Sequence, residues 1–348
     1  MAEGETAPMT ERTVARRPDP VAIWLFVIAG MIFFMVVLGG VTRLTESGLS
    51  MVDWRPVTGW LPPIGEAEWQ KVFDAYRQSP QYRDINAGMT LAAFKEIFWL
   101  EYLHRLFGRI IGLAFGLPFV WFLATGRLQG DLKVKCGALF VLGGLQGVLG
   151  WWMVKSGLID NPAVSQYRLA AHLGLALVIY LAVLWTAIGI VAPRGDKGQG
   201  SHRRWAGAML GLAFVTVMSG ALVAGLDAGF LFNTFPLMEG RLWPDESFHM
   251  EPFWLNFFED RGAVQFDHRV LAMTTLAAAV AYWVRVRRAP EAAMRRAGGL
   301  LLAAVGLQVA LGIATLVLVV PVPLAALHQA GAVLVLTAAL WAWDRAGR

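Results

Sequence analysis

Cysteine is almost missing from this chain: Cys136 is the single one among 348 residues. An internal disulfide is therefore excluded, as are a C-x-x-C redox pair and any Cys/His zinc pattern. Cys136 is expected to be a buried, inert small residue. Charge is scarce too, since Asp, Glu, Lys and Arg make up 16% of the chain while hydrophobic residues make up 57%, with a mean hydropathy of +0.53. Soluble domains carry about 25% charged residues, so an ordinary soluble fold is excluded and a polytopic membrane protein is indicated. Histidine is also rare, at six. The net charge of +5 and pI near 9.5 call for no nucleic-acid partner, because the placement of Lys and Arg has another explanation.

What the chain does have is long apolar runs. About 20 consecutive apolar residues suffice to span a bilayer, and eight such runs occur near 21–42, 99–124, 136–154, 168–192, 205–226, 264–284, 297–320 and 324–343. The first is too long for a signal-peptide core and no small-residue cleavage site follows it, so it is expected to remain as a helix. Basic residues cluster in the tail (Arg12, Arg16, Arg17) and in the even-numbered loops (Arg127, Lys133, Lys135; Arg194, Lys197, Arg203, Arg204; Arg285, Arg287, Arg288, Arg295, Arg296). The short loops on the other side hold about Lys155 alone. The positive-inside rule then places both termini in the cytoplasm.

The two halves repeat. GLQGVLG at 144–150 matches GLQVALG at 306–312, and His104-Arg105 matches His268-Arg269. In the long loops, Gly48, Gly59 and Pro63 stand 181 residues before Gly229, Gly240 and Pro244. An even number of spans per unit makes this a parallel repeat, unlike the inverted repeats of many transporters. The expected fold is an all-α polytopic membrane protein: a cytoplasmic tail (1–20), one four-helix bundle (21–192), a cytoplasmic linker (193–204) and a second bundle (205–348). In the outer loops 43–98 and 227–263, Trp69, Val72, Phe73 and Tyr76 recur at helical spacing, and Phe253, Trp254, Phe257 and Phe258 behave similarly. A helix lying in the membrane interface, anchored by an aromatic belt, fits these; a lid over a buried site is the alternative. The tail before Val21 is polar and expected to be disordered.

Four of the six histidines, His104, His172, His268 and His328, fall at matching places near the outer starts of the second, fourth, sixth and eighth spans. Ionisable groups inside a membrane mark function unless partnered, and two imidazoles from facing helices bind a haem iron from both sides. The expected ligand pairs are His104 with His172 and His268 with His328. His202 and His249 lie outside the pattern, as solvated or interfacial residues. Three residues before the histidine stands Glu101 in the first half but Gln265 in the second, and i, i+3 residues share a helix face. Glu101 is thus a candidate general base at a haem edge, which a glutamine cannot be; a solvated residue at the water boundary is the alternative. Arg105 and Arg269 suit haem propionates or ordinary snorkelling. Gln146 and Gln308 suit interhelical hydrogen bonds. Gly143, Gly144, Gly147 and Gly150 suit close helix approach, or room for a flat macrocycle.

The segments GGVTRLTESGLSMVDWRPVTGWLPP at 39–63 and FKEIFWLEYLHRLFGR at 94–109, with QFDHR and LHQAG later, make the chain resemble the haem A synthase family over about residues 21–343. The resemblance implies oxidation of a ring methyl of haem O to a formyl group by successive hydroxylations, in a bacterial cytoplasmic (inner) membrane. It implies haem O in the first half, with His104 and His172 at the substrate-side ligand positions and Glu101 at the acidic catalytic position. It implies a haem b cofactor in the second half on His268 and His328. Haem O synthase and an electron acceptor, a quinone or redox protein, are the implied partners, alongside membrane lipid. Some bacterial members carry a cysteine pair in the outer loops; its absence here implies that electrons leave by another route. Two other classes fit less of the sequence. A non-catalytic dihaem b-type cytochrome accounts for the histidines, and a proton-coupled transporter accounts for the parallel repeat.

Overall fold

The computed structural model describes residues 19–53, 59–158, 164–192, 200–244 and 247–347. The expected disordered tail and the basic residues Arg12, Arg16, Arg17, Arg194 and Lys197 lie outside these. The regular structure among the described residues is helical, apart from an isolated bridge between Met238 and Arg241. Eight helices are long and apolar enough to cross a membrane. They are α1 (Pro20–Leu44), α4 (Leu91–Ala124), α5 (Gly130–Gly157), α6 (Gln166–Val191), α7 (Ser201–Gly225), α9 (Arg261–Val286), α10 (Ala292–Val317) and α11 (Val322–Arg345). Shorter helices α2 (Glu66–Tyr76), α3 (Pro80–Asp84) and α8 (Asn256–Glu259) lie in the long loops. This is a multi-pass membrane protein.

Local chemistry sets the helix ends. Asp19 caps α1 through Val21 N at 2.8 Å, with Pro20 at the first position, and Asp260 caps α9 through Ala263 N at 2.7 Å; such side chains satisfy amides left bare at a helix start. The apolar pattern carries the seventh span to residue 320, but α10 stops at Val317. The cause is Pro321, which disfavours helical geometry in the residue before it, and the chain turns through Val319 and Val320 at φ 61° and 55°. Glu46 after α1 and Asp227 after α7 both take the left-handed conformation, at φ 53° and 50°. They stand 181 residues apart.

Helix α1 packs on α4 and α6, α5 touches both α4 and α6, and a ring of four closes. Helices α7, α9, α10 and α11 close a second ring, and the rings meet through α6–α7, α6–α11 and α1–α11. Polar contacts stitch that seam: Tyr180 to Thr337 at 2.8 Å, Gln329 Nε2 donating to the Val36 carbonyl at 2.7 Å, and Arg43 paired with Asp227 at 2.8 Å. At the end away from the long loops, Arg203, Arg285 and Arg287 lie over Trp343, Trp205 and Trp283, the cation and aromatic mix that suits a membrane boundary.

The loop after α1 overturns the interfacial reading of its aromatic residues. Trp69, Phe73 and Tyr76 of α2 are buried against protein, packed on Phe94, Phe98 and Tyr102. The reason is the length of α4. Its 34 residues at about 1.5 Å each outrun a hydrocarbon core of about 30 Å. The excess turns project beyond the membrane-length run with an aromatic residue at every fourth position. Tyr76 and Phe94 rings stack at 5.0 Å, and Trp69 meets Phe98 edge-on at 4.9 Å. In the second half Phe253, Trp254, Phe257 and Phe258 stay exposed, as an anchoring belt requires. Phe94 is fully buried, so Phe94→Ala should cost about 3–5 kcal/mol within this cap. Limited proteolysis of detergent-solubilised protein should cleave the 43–98 segment faster in that variant, and at the wild-type rate in Leu103→Ala, whose side chain is exposed.

Candidate functional site

Helices α4, α6, α9 and α11 all start at the end that bears the long loops, and each carries one of the four histidines in its first half. His104, His172, His268 and His328 line one cavity of about 1180 Å³ that runs through both rings. A typical single-ligand pocket measures about 300–1000 Å³, so this space exceeds one small ligand. Within it His104 and His172 belong to helices of the first ring, and His268 and His328 to helices of the second. His202 and His249 do not line it.

Each imidazole lies against a glycine of the preceding membrane helix. A Cβ built on Gly39 would stand 3.0 Å from His104 Cε1, on Gly150 3.1 Å from His172 Cε1, on Gly220 3.0 Å from His268 Cε1, and on Gly312 2.8 Å from His328 Cε1. Carbon atoms prefer about 3.5–4.0 Å, so any side chain there would displace the ring. Two of these glycines end the repeated GLQGVLG and GLQVALG segments. The glutamine inside each segment bonds the same histidine: Gln146 Nε2 donates to the His172 carbonyl at 3.0 Å, and Gln308 Nε2 to the His328 carbonyl at 2.8 Å. Both amides also sit 3.1–3.2 Å from the ring Nδ1. The interhelical role expected of the glutamines is met. Gly143, Gly144 and Gly147 have open space where a Cβ would be and line the cavity, so they leave room and do not bring helices together.

Above the histidines the loops are held down identically in the two halves. Arg105 donates to the carbonyls of Met51 and Asp53 at 3.0 and 3.3 Å. Arg269 donates to those of Phe232 and Thr234 at 2.8 and 2.9 Å, each 181 residues further along. Both arginines line the cavity, and their grip on the loops was not visible in the sequence. The halves part at the neighbouring residue. Glu101 is 2% exposed, which excludes a solvated boundary carboxylate. Its Oε2 accepts from Ser50 Oγ and from Met51 N, each at 2.7 Å, and its Oε1 pairs with Arg105. Gln265, equally buried, donates to Phe232 O at 3.1 Å and leaves Oε1 without a partner among the described residues. All seven residues expected at the site therefore line one cavity.

Residues 22–340 match the model of a family described as cytochrome oxidase assembly protein (COX15-CtaA). The chain belongs to that family. Among its relatives, the haem A synthases of Nitrosospira multiformis and Parvibaculum lavamentivorans are each 50% identical to it, over 92% of both chains. That of Azorhizobium caulinodans is 50% identical over 94% of both. The sequence singled out the histidines, Glu101 and the glutamines that line this cavity, but not Gly39, Gly220 and Gly312, which seat three of the rings, nor Ser50 beside Glu101 and Ser219 beside His268. The signal that could have found the first two is the 181-residue offset itself, which joins Gly39 to Gly220. Gly220→Ala and Gly312→Ala should each push a histidine off its seat and lower the yield of pigment bound to purified protein. Gly30→Ala, where a Cβ meets nothing within 4 Å, should leave pigment and thermal stability unchanged.

Proposed function

We propose that this protein is a haem A synthase that oxidises a ring methyl of haem O to a formyl group in the first ring of helices, with a haem b in the second. Family membership and relatives of that name over nearly the whole chain support the activity. The observation that carries the division of labour is the buried carboxylate of Glu101 in one half of a shared cavity and the amide of Gln265 in the other.

The residues present suit haem. Each ring of helices offers two cavity-lining imidazoles seated on glycine, and these would hold a haem iron through their ring nitrogens. Among the described residues no three His, Cys, Asp or Glu side chains gather as a bare ion would need, so the histidine pairs would suit a metal that arrives within an organic cofactor. When bound, the haem groups supply the iron and, in the first half, the methyl to be oxidised.

The protein's own groups do the rest. Ser50 and Met51 fix the Glu101 carboxylate in one orientation, and the Arg105 guanidinium balances its charge. So held, a Glu101 oxygen is placed to accept protons released as the methyl is oxidised; Gln265 has no such capacity. Arg105 and Arg269 put positive charge at the loop end of the cavity, where haem carboxylates are best accommodated. Leu49, Gln81 and Ile85 of the first loop also line the cavity and keep bulk water from the reacting end. The basic loops support a topology with both termini in the cytoplasm and the histidines in the outer part of a bacterial inner membrane. Electrons pass to a quinone or redox protein, and haem O synthase supplies the substrate.

Glu101→Gln should retain insertion and haem binding yet lower haem A formation by about 10²–10⁴-fold. The measurement is haem A extracted from cells that lack the native enzyme and carry haem O synthase; near-normal haem A would refute the role. His268→Ala and His328→Ala should each abolish a low-spin haem b spectrum in inserted protein. For orientation, a cysteine at exposed Gln78 in a Cys136→Ser background should react with an impermeant maleimide added to intact spheroplasts. Labelling only after lysis would invert the topology.

A further inference from the structure

His104 and His268 sit in the same pose. A Cβ on Gly39 would lie 3.0 and 3.6 Å from Cε1 and Nδ1 of His104, and one on Gly220 would lie 3.0 and 3.5 Å from the same atoms of His268. What stands beside Nδ1 differs. Ser219, one residue before Gly220, places Oγ 2.8 Å from His268 Nδ1 and donates its hydroxyl proton to the Thr216 carbonyl, also at 2.8 Å. A serine hydroxyl has one proton. With that proton committed to Thr216, the bond to the ring runs the other way: Nδ1–H donates to Oγ. Nδ1 then carries the ring hydrogen and Nε2 keeps a bare lone pair, the form in which imidazole binds iron. In the first half the residue before Gly39 is Leu38, which offers nothing, and His104 Nδ1 is buried without a hydrogen-bond partner among the described residues. The second histidine of each pair meets a glutamine amide in the same manner in both halves, so it does not distinguish them.

We propose that Ser219 is a positioning residue that locks His268 into its iron-binding tautomer and strengthens it as a donor, so that the second half retains its haem. His104, lacking that partner, marks a site that releases what it binds. An enzyme whose product must leave and whose cofactor must stay needs such a difference between sites of otherwise matching build. This rests on the reading of the four histidines as haem ligands.

The test compares purified wild type, Ser219→Ala, Ser219→Thr and Leu38→Ser for two quantities besides turnover: the midpoint potential of the low-spin haem, and the rate at which each haem passes to excess apomyoglobin. Ser219→Ala should keep a low-spin spectrum, shift the potential in the positive direction because the weaker donor favours ferric iron less, and lose haem b on the order of 10-fold faster, as outer-shell losses do. Ser219→Thr, which keeps the hydroxyl, should restore both quantities. Leu38→Ser should slow release from the first half while leaving the second unchanged. An unmoved potential and release rate in Ser219→Ala would overturn the role of Ser219, and unchanged first-half release in Leu38→Ser would overturn the account of His104. Wild-type protein reconstituted with haem b but showing no low-spin bis-histidine spectrum would instead overturn the ligand reading beneath both.

Discussion

The contact of an imidazole edge with a bare glycine backbone governs this molecule. A histidine in a membrane helix is costly unless something satisfies it, and it can point into a shared cavity only where the adjoining helix yields volume. Gly39, Gly150, Gly220 and Gly312 yield it, one for each ring. From that contact follow the approach of α1 to α4, α5 to α6, α7 to α9 and α10 to α11. The glutamines on α5 and α10 then reach the carbonyl of the very histidine their helix accommodates. Filling any of the four gaps would cost a side-chain position and, through it, the spacing of two helices.

On this common frame the sequence varies a few atoms. Arg105 and Arg269 grip matching carbonyls in the two loops, so the loop geometry contributes little to the distinction between halves. The distinction rests on a carboxylate in place of an amide at Glu101 and Gln265, and on a hydroxyl in place of a methyl-bearing side chain at Ser219 and Leu38. The first exchange is fully buried and the second half-buried against a histidine, where a single charge or hydrogen bond counts for more than in water. The aromatic cap is a third difference. α2 sits on the extended start of α4, whereas the aromatics of the second loop remain exposed.

Much of this was legible in the amino-acid sequence, for definite reasons. Hydrophobic runs reveal membrane helices because lipid tolerates little else, and all eight appear at their expected places, with α4, α5 and α10 beginning earlier than their apolar runs. Glu101 stood out because its repeat partner is Gln265. The aromatic cap was misjudged because helical spacing shows that a face is apolar without showing what covers it; only the projection of α4 past the membrane supplies a protein surface in place of lipid. The glycine seats were partly hidden for a similar reason. Glycine is common in membrane helices, and which of 37 glycines faces a histidine depends on helix rotation, which no local pattern encodes.

Gln329 follows His328 directly and reaches across the seam to the Val36 carbonyl, with its side chain lying over Gly40. Val36 is one turn before Gly39, the seat of His104. The histidine-bearing turn of α11 and the supporting turn of α1 are thereby bolted into a single strut. Rotation of α11 about its own axis would swing Gln329 with His328 and drag the bed on which His104 rests. The two histidine-lined regions consequently keep a common register: their separation and relative tilt are set by one short bridge between neighbouring turns, and not by the sum of slack in the loops that join the halves.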